Sequence, residues 1–277
     1  MDLYTSNALD ISEVTTKNYS TSFSMGVWLL RNKYRPAIYA IYGFVRFADE
    51  IVDTFHEQDK RSLLEAFRKD AFEAIEKQMS PNPILHSFQW AVNHYRIDHA
   101  LIEAFLKSMY MDLYKKTFTQ AEYQEYIYGS AEVVGLMCLR VFYHGDDAGY
   151  ERLVPPARKL GEAFQKVNFL RDLKADFDER GRVYFPNVEY ESFSDKEKKE
   201  IEADLRADFA ASLPGIRDLK RDVRLGVYLA YCYYHELLRK IESVSSQEMT
   251  STRFSVSTGK KLRLLAVCWF RHTFNLF

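Results

Sequence analysis

The sequence predicts an all-α fold folded as a single domain over 1–277, and three observations carry that reading. Apolar residues recur at helical spacing along the whole chain, while sustained strand-like alternation is hard to find. Glycine (11) and proline (7) are scarce, so few tight turns are written in. Thr119-x-x-Glu122 and Ser194-x-x-Glu197 have the spacing of capping boxes, which mark helix starts. At ~100–200 residues per domain, 277 residues allow one large domain or two small ones. No internal repeat and no Ser/Gly linker divides them, which leaves one domain of roughly ten helices.

Taken in order, Ile38, Ile41, Tyr42, Val45 and Ala48 fall on one face of a helix. Pro81 and Pro83 mark a break. Pro155-Pro156 suits the first turn of a helix that runs through Asp176. Asp178 to Arg182 reads as the clearest loop, ending at Pro186. The charge-rich run Asp195 to Glu202 reads as a solvated helical face. The final segment, Lys260 to Phe274, mixes basic residues with bulky apolar ones. It serves as a last helix packed on the core, or as an amphipathic segment on an anionic membrane surface.

Composition excludes several classes. Hydrophobic residues at 47% and charged residues at 28% match a globular chain with ample core material. The net charge of −1 leaves no basic footprint for nucleic acid. Cys138, Cys232 and Cys268 are dispersed and odd in number, which points to a reducing compartment rather than a disulfide framework. The stretch from Met1 lacks the pattern of a signal peptide, and Gly226–Tyr234 and Leu264–Phe270 are too short to span a bilayer. The expected location is cytoplasmic, with peripheral contact at the inner face of the membrane as an option. The 20 Phe and 19 Tyr are unusual, and so many phenols need polar partners or a wet cavity.

Two acidic pairs carry most of the functional information. Asp49 and Asp53 are four apart, so their carboxylates leave one helix face about 6 Å apart along the axis. Like charges there repel unless a cation sits between them. Arg46 lies one turn before Glu50, and a solvent-facing turn with an Arg46–Glu50 pair is the plain alternative. The second pair weakens that alternative. Gln165, Asn168, Asp172 and Asp176 trace one helical stripe embedded among Phe164, Val167, Phe169, Leu170 and Leu173. Polar groups on so apolar a helix belong at a cavity. Oxygen ligands without convergent His or Cys fit a hard ion such as Mg²⁺, with Mn²⁺ as an alternative. Arg46 and Arg171 add anion contacts. Glu-x-x-His, His-Glu-x-x-His, P-loop, G-x-G-x-x-G and nucleophile-elbow patterns are all absent.

These residues resemble the squalene/phytoene synthase family, from about Tyr19 to Lys261. Tyr19-Ser-Thr-Ser-Phe23 resembles its substrate flap, and Tyr39 to Asp53 its first aspartate-rich signature. Tyr128 to Gly135 resembles the segment that bends around the prenyl tail. Leu160 to Asp176 resembles the second signature, and Gly181-Arg-Val-Tyr184-Phe-Pro186 the loop after it. Asn168 stands where head-to-tail prenyl synthases usually carry Asp. The resemblance implies an isoprenoid-synthase-type bundle around a central cavity, and a metal set of Asp49, Asp53, Asn168, Asp172 and Asp176. It implies substrate contacts from Ser20, Phe23, Arg46, Gln165, Asn168, Arg171, Tyr184 and Arg253, with Tyr42 and Tyr233 in the cavity. The implied reaction is Mg²⁺-dependent head-to-head condensation of two geranylgeranyl diphosphates to phytoene through a cyclopropylcarbinyl diphosphate, without NADPH. Dehydrosqualene or squalene synthesis from farnesyl diphosphate is the nearest alternative. A catalytically silent helical homologue that binds lipid or a partner is the alternative of another class.

Overall fold

Helix starts follow the short polar residues that the chain supplies. The computed structural model describes residues 1–251 and 254–276. Among them the chain forms helices linked by short turns and no strand. Helix α1 (Leu3–Tyr19) begins at Asp2, which accepts the Thr5 N–H at 2.9 Å. Helix α2 (Thr21–Trp28) begins at Ser20, α4 (Lys60–Lys77) at Asp59 and α5 (Pro83–Tyr95) at Asn82, each side chain accepting a first-turn N–H. Between them α3 (Arg35–Asp53) starts with Pro36 in its first turn. Then come α6 (His99–Tyr114) and α7 (Gln120–Ile127), the latter opened by the expected capping box at Thr119.

The chain continues without a loop through a π-helical turn, Tyr128–Glu132, into α8 (Val133–Phe142). A Cβ at Gly129 would collide with the Ala104 carbonyl oxygen of α6, so this wide turn lies directly on α6 only because residue 129 is glycine.

Helix α9 (Asp147–Arg180) is 34 residues, about 50 Å long, and it corrects two expectations. It starts at Asp147 behind the Asp146 cap, so Pro155 and Pro156 lie inside it rather than at its start. Interior prolines remove helical hydrogen bonds. Here the Pro156 ring is packed against Gly215 of α10 (Asp195–Asp218). The helix also runs past Asp178 and ends only at Gly181, whose φ of 63° is a left-handed cap. Its N–H reaches the Phe177 carbonyl at 2.8 Å, and that of Arg182 the Asp176 carbonyl at 3.0 Å.

The α10 start shows the Ser194 capping box as expected. The Asp195–Glu202 run is not a uniformly solvated face, because Lys198 and Glu202 are buried and paired with each other. The short α12 (Ser246–Met249) lies over this end, its Ser246 N–H donating to Asp195 at 2.8 Å. Helix α11 (Arg221–Glu242) packs against α2 and α10, and α13 (Thr258–Thr273) lies along α11.

Ile38, Ile41 and Ala48 are buried on α3, with Tyr42 and Val45 at the edge of the core. Phe44 stacks on Phe88 at 3.8 Å and on Phe67 at 5.3 Å, which fixes α3 against α4 and α5. That packing holds the opposite, polar side of α3 toward α9.

Candidate active site

The acidic ends of α3 and α9 meet, and two arginines stitch them together. Arg180 Nε lies 3.2 Å from Asp53 Oδ1, and its NH1 lies 3.2 Å from Asp176 Oδ1. The left-handed turn at Gly181 brings Arg182 back to the same place. Its NH1 is 3.5 Å from Asp53 Oδ1 and 3.5 Å from Asp112 Oδ1 of α6. Burial pushes the Asp49 carboxyl up to about 8, against the pull of Arg46 and with Asp53 and Asp112 adding to the rise. Burial and the Asp172 charge push Asp176 up to about 7, although Arg180 and Arg182 oppose it. The site therefore holds more carboxylates than its own cations balance.

Asn168 stands one turn before Asp172 on α9. Its amide N–H donates to Gln165 Oε1 at 3.3 Å, while its Oδ1 is buried without a hydrogen-bond partner. An orphaned buried acceptor beside crowded carboxylates is a set of oxygen donors with work left to do. Arg171 Nε donates to Asp172 Oδ2 at 3.0 Å. Arg46 pairs with Glu50, as the spacing predicts, and also lies 4.0 Å from Asp49 with its guanidinium 4.3 Å from the Tyr19 ring centre. Its Nε is buried and unpartnered.

Aromatic residues wall the group. Phe23 stacks on Tyr42 at 4.8 Å, and Ser20 accepts the Phe23 N–H at 3.2 Å, so the start of α2 is anchored over α3. Burial pushes the Tyr42 phenol up to about 12, which keeps it protonated. Tyr184 stacks on Phe169 at 4.1 Å and donates to Asp112 Oδ1 at 3.3 Å, behind the carboxylates.

Comparison with known proteins places this arrangement in context. The squalene/phytoene synthase family profile matches residues 16–260. The chain belongs to that family. Its sequence is 30% identical to a 15-cis-phytoene synthase of Synechocystis, across 95% of this chain and 85% of that protein. It is also 30% identical to a 4,4'-diapophytoene synthase of Staphylococcus haemolyticus, across 69% of this chain and 67% of that one. A crystal structure of a dehydrosqualene synthase in complex with ligand superposes with a TM-score of 0.83 at 22% identity, covering 97% of this chain and 98% of that one. The all-α isoprenoid synthase fold is thereby shown, and with family membership comes a prenyltransferase that joins prenyl diphosphates head to head.

Against that family pattern, some expected residues fall elsewhere. Tyr233 is buried among Ile216, Tyr228, Leu229 and Cys268, and its hydroxyl lies 3.0 Å from the Lys261 carbonyl oxygen and 3.0 Å from Met25 Sδ. The structure does not bring it to the acidic group. Its neighbour Tyr234 is the one that faces it, stacked on Phe164 at 4.0 Å and close enough to act electrostatically on Tyr42 and Arg171. Arg253 lies outside the described residues.

Sequence reasoning gave no role to Asp112, Tyr126, Arg180, Arg182 or Tyr234. Asp112 is buried, accepts from Tyr126 at 2.7 Å, and is pushed up to about 6 by burial, with Arg182 pulling the other way. A lone acid inside Met109–Leu113 of an apolar helix was the available signal. A second acidic group, Glu162, Asp204 and Asp208, is the one triad among the described residues with oxygens all within 4.8 Å. Two ammonium groups already fill it. Lys166 lies 2.7 Å from Glu162 and 2.6 Å from Asp208 and also pairs with Asp204, while Lys159 reaches Glu162 at 2.7 Å and Asp208 at 2.8 Å. It is a structural clasp between α9 and α10.

Proposed function

We propose that this chain, as one catalytic unit over 1–277, condenses two geranylgeranyl diphosphates head to head to phytoene in a Mg²⁺-dependent reaction. The observation that carries the reading is the pair of acidic helix ends with the unpartnered Asn168 oxygen beside them. Asp49, Asp53, Asp172, Asp176 and the Asn168 oxygen fit a hard divalent ion, because all are oxygen donors and the carboxylates are crowded. Mg²⁺, when bound, supplies Lewis-acid neutralisation of the leaving diphosphate.

The protein's own groups do the rest. Arg46 and Arg171 hold phosphate oxygens through their planar forks, with Arg253 and Gln165 completing the contacts and Ser20 at the flap. Breaking the C1–O bond of one substrate leaves an allylic cation, which the double bond of the second attacks. Loss of a proton closes the cyclopropane. A second ionisation opens that ring, and a final proton loss gives the linear hydrocarbon with a conjugated triene at its centre, so no hydride donor enters. Phe23, Tyr42 and Tyr234 present π faces to these cations and exclude water. Tyr184 holds Asp112 and Arg182 in register behind them. Tyr233 supports this wall from its buried side.

The likeness to a phytoene synthase runs over nearly the whole chain, which supports the C20 substrate. Equal identity to a diapophytoene synthase supports the second reading, dehydrosqualene from farnesyl diphosphate. The three free thiols support a reducing, cytoplasmic setting. Incubation of the purified protein with each diphosphate and Mg²⁺, with and without NADPH, followed by hydrocarbon analysis, tests the reading. Phytoene formed without NADPH is expected. A C30 product that requires NADPH overturns it.

A further inference from the structure

Two of the three cysteines, far apart in the sequence, meet between the last two long helices. Helices α11 and α13 pair antiparallel, and three contacts fix their register. Near one end Arg271 donates to the Tyr228 hydroxyl at 3.0 Å. Toward the other, Lys260 lies 2.9 Å from Glu236, and the Tyr233 hydroxyl donates to the Lys261 carbonyl at 3.0 Å. Cys232 stands one turn after Tyr228 on α11, and Cys268 one turn before Arg271 on α13, so this register sets the two side chains opposite each other. Both belong to one apolar cluster, Cys268 at 1% exposure and Cys232 half-buried at its edge. The two thiols share a hydrogen bond.

Their surroundings make the two sulfurs unequal. The Cys232 sulfur accepts from the Cys268 thiol and from the Tyr228 hydroxyl, with the Arg271 guanidinium beyond. These donors and that charge hold the Cys232 thiol below its ordinary value, against the opposing effect of burial. The same bond, together with burial, pushes the Cys268 thiol up. Cys232 is therefore the attacking sulfur and Cys268 the resolving one, the arrangement of a redox-sensing pair. Cys138 is the built-in contrast, since burial alone pushes its thiol up to about 12.

We propose that Cys232 and Cys268 are a reversible thiol–disulfide site, oxidised by hydrogen peroxide through Cys232, that staples α13 to α11. The Cys232 thiolate attacks one peroxide oxygen, the O–O bond breaks, and the departing hydroxide takes up the thiol proton as water. The Cys268 sulfur then attacks the resulting sulfenic sulfur, and the second hydroxyl leaves as water with the Cys268 proton. Two thiols and one peroxide thus give one disulfide and two waters, the sulfurs losing the two electrons that the peroxide gains. The sulfurs need only close from hydrogen-bond contact to about 2.05 Å. In a reducing compartment the dithiol is the resting form and the disulfide a transient response to oxidant. Tyr233 and Tyr234 directly follow Cys232, so the staple fixes the stretch of α11 that walls the acidic group.

Treatment of the reduced full chain with hydrogen peroxide, followed by thiol counting in denaturant and peptide mass mapping, tests this. Reactive thiols should fall from three to one, with the Cys232 and Cys268 peptides linked. Reduced glutathione should restore all three. The melting midpoint should rise by several degrees on oxidation, because the cross-link restricts the unfolded chain, and return on reduction. Cys268→Ser should stop at the sulfenic acid, which dimedone labels at Cys232. Cys232→Ser should leave the buried Cys268 unlabelled, and Cys138→Ser should still form the link. Circular-dichroism melting before oxidation checks that the serine variants are folded, and the wild-type thiol count stands without them. Three thiols surviving peroxide, a link through Cys138 or between two chains, over-oxidation of Cys232 without a link, or a link that glutathione does not open overturns the proposal.

Discussion

Asp49 and Asp176 are the carboxyls of the acidic group that burial raises furthest, and their protons give two readouts. Folding raises both carboxyls, to about 8 and about 7, from the ordinary value of about 4. The folded protein then binds more protons than the unfolded chain between those limits. Their contribution to metal-free stability falls as pH rises from about 4 to about 8, by the linkage sign. A divalent cation must displace the same protons, so its stabilising effect should grow over that window. Thermal melting with chelator, and again with Mg²⁺, should show the two curves diverging with rising pH. A Mg²⁺ shift that is flat with pH would contradict the assignment of these carboxylates to the ion. Tyr233 and Tyr234 separate in the same way. Tyr233→Phe should cost about 1 kcal/mol of stability through its lost bond to the Lys261 carbonyl, with turnover little changed. Tyr234→Ala should lower turnover at least ~10-fold with a smaller change in melting. The family resemblance, through Tyr233, pointed to the right helix for this wall. A single residue step is about 100° of rotation, and only the packing of α11 on α9 decides which tyrosine turns inward.

At the scale of elements, the clasp between α9 and α10 makes its own prediction. Lys166 and Asp208 are both buried, so Lys166→Ala leaves carboxylates without their cation. Losses of about 3 kcal/mol or more follow from breaking such a pair. Melting should drop by several degrees while Mg²⁺ dependence is retained, which a metal role for this triad would not allow. Helix boundaries were legible where the signal is local. Ser194 and Thr119 cap their helices as read, because a capping box is satisfied within four residues. Pro155-Pro156 misled for the complementary reason. Proline marks a first turn by its own geometry, but Asp146 and the packing of Pro156 on Gly215 extend α9 past that signal. Likewise the Asp178–Gly181 stretch has loop composition, yet the helix persists until glycine permits a positive φ. Lys198 and Glu202 are buried on α10, which packs against α9 and α11, and no local pattern announces that burial.

For the whole molecule, the two acidic signatures were readable and their meeting was not. Each lies on one helix, and Asp49/Asp53 and Asp172/Asp176 show their i+4 spacing directly. Arg180, Arg182 and Asp112 join them only because α3, α6 and α9 converge, and that convergence is set by core packing such as Phe44 on Phe88. Arg171→Lys tests whether this convergence binds diphosphate. Substrate KM should rise ~10-fold or more with melting almost unchanged, because ammonium lacks the bidentate fork. Intact kinetics with a large loss of melting temperature would make Arg171 purely structural. The central claim, that these two helix ends form one diphosphate-ionising site, is tested most directly by counting diphosphate. Wild-type protein with geranylgeranyl diphosphate and Mg²⁺ should release two diphosphates for each phytoene formed. Asp49→Asn and Asp172→Asn should each lower that release ~10²-fold or more. Near-normal release from either variant would contradict the account.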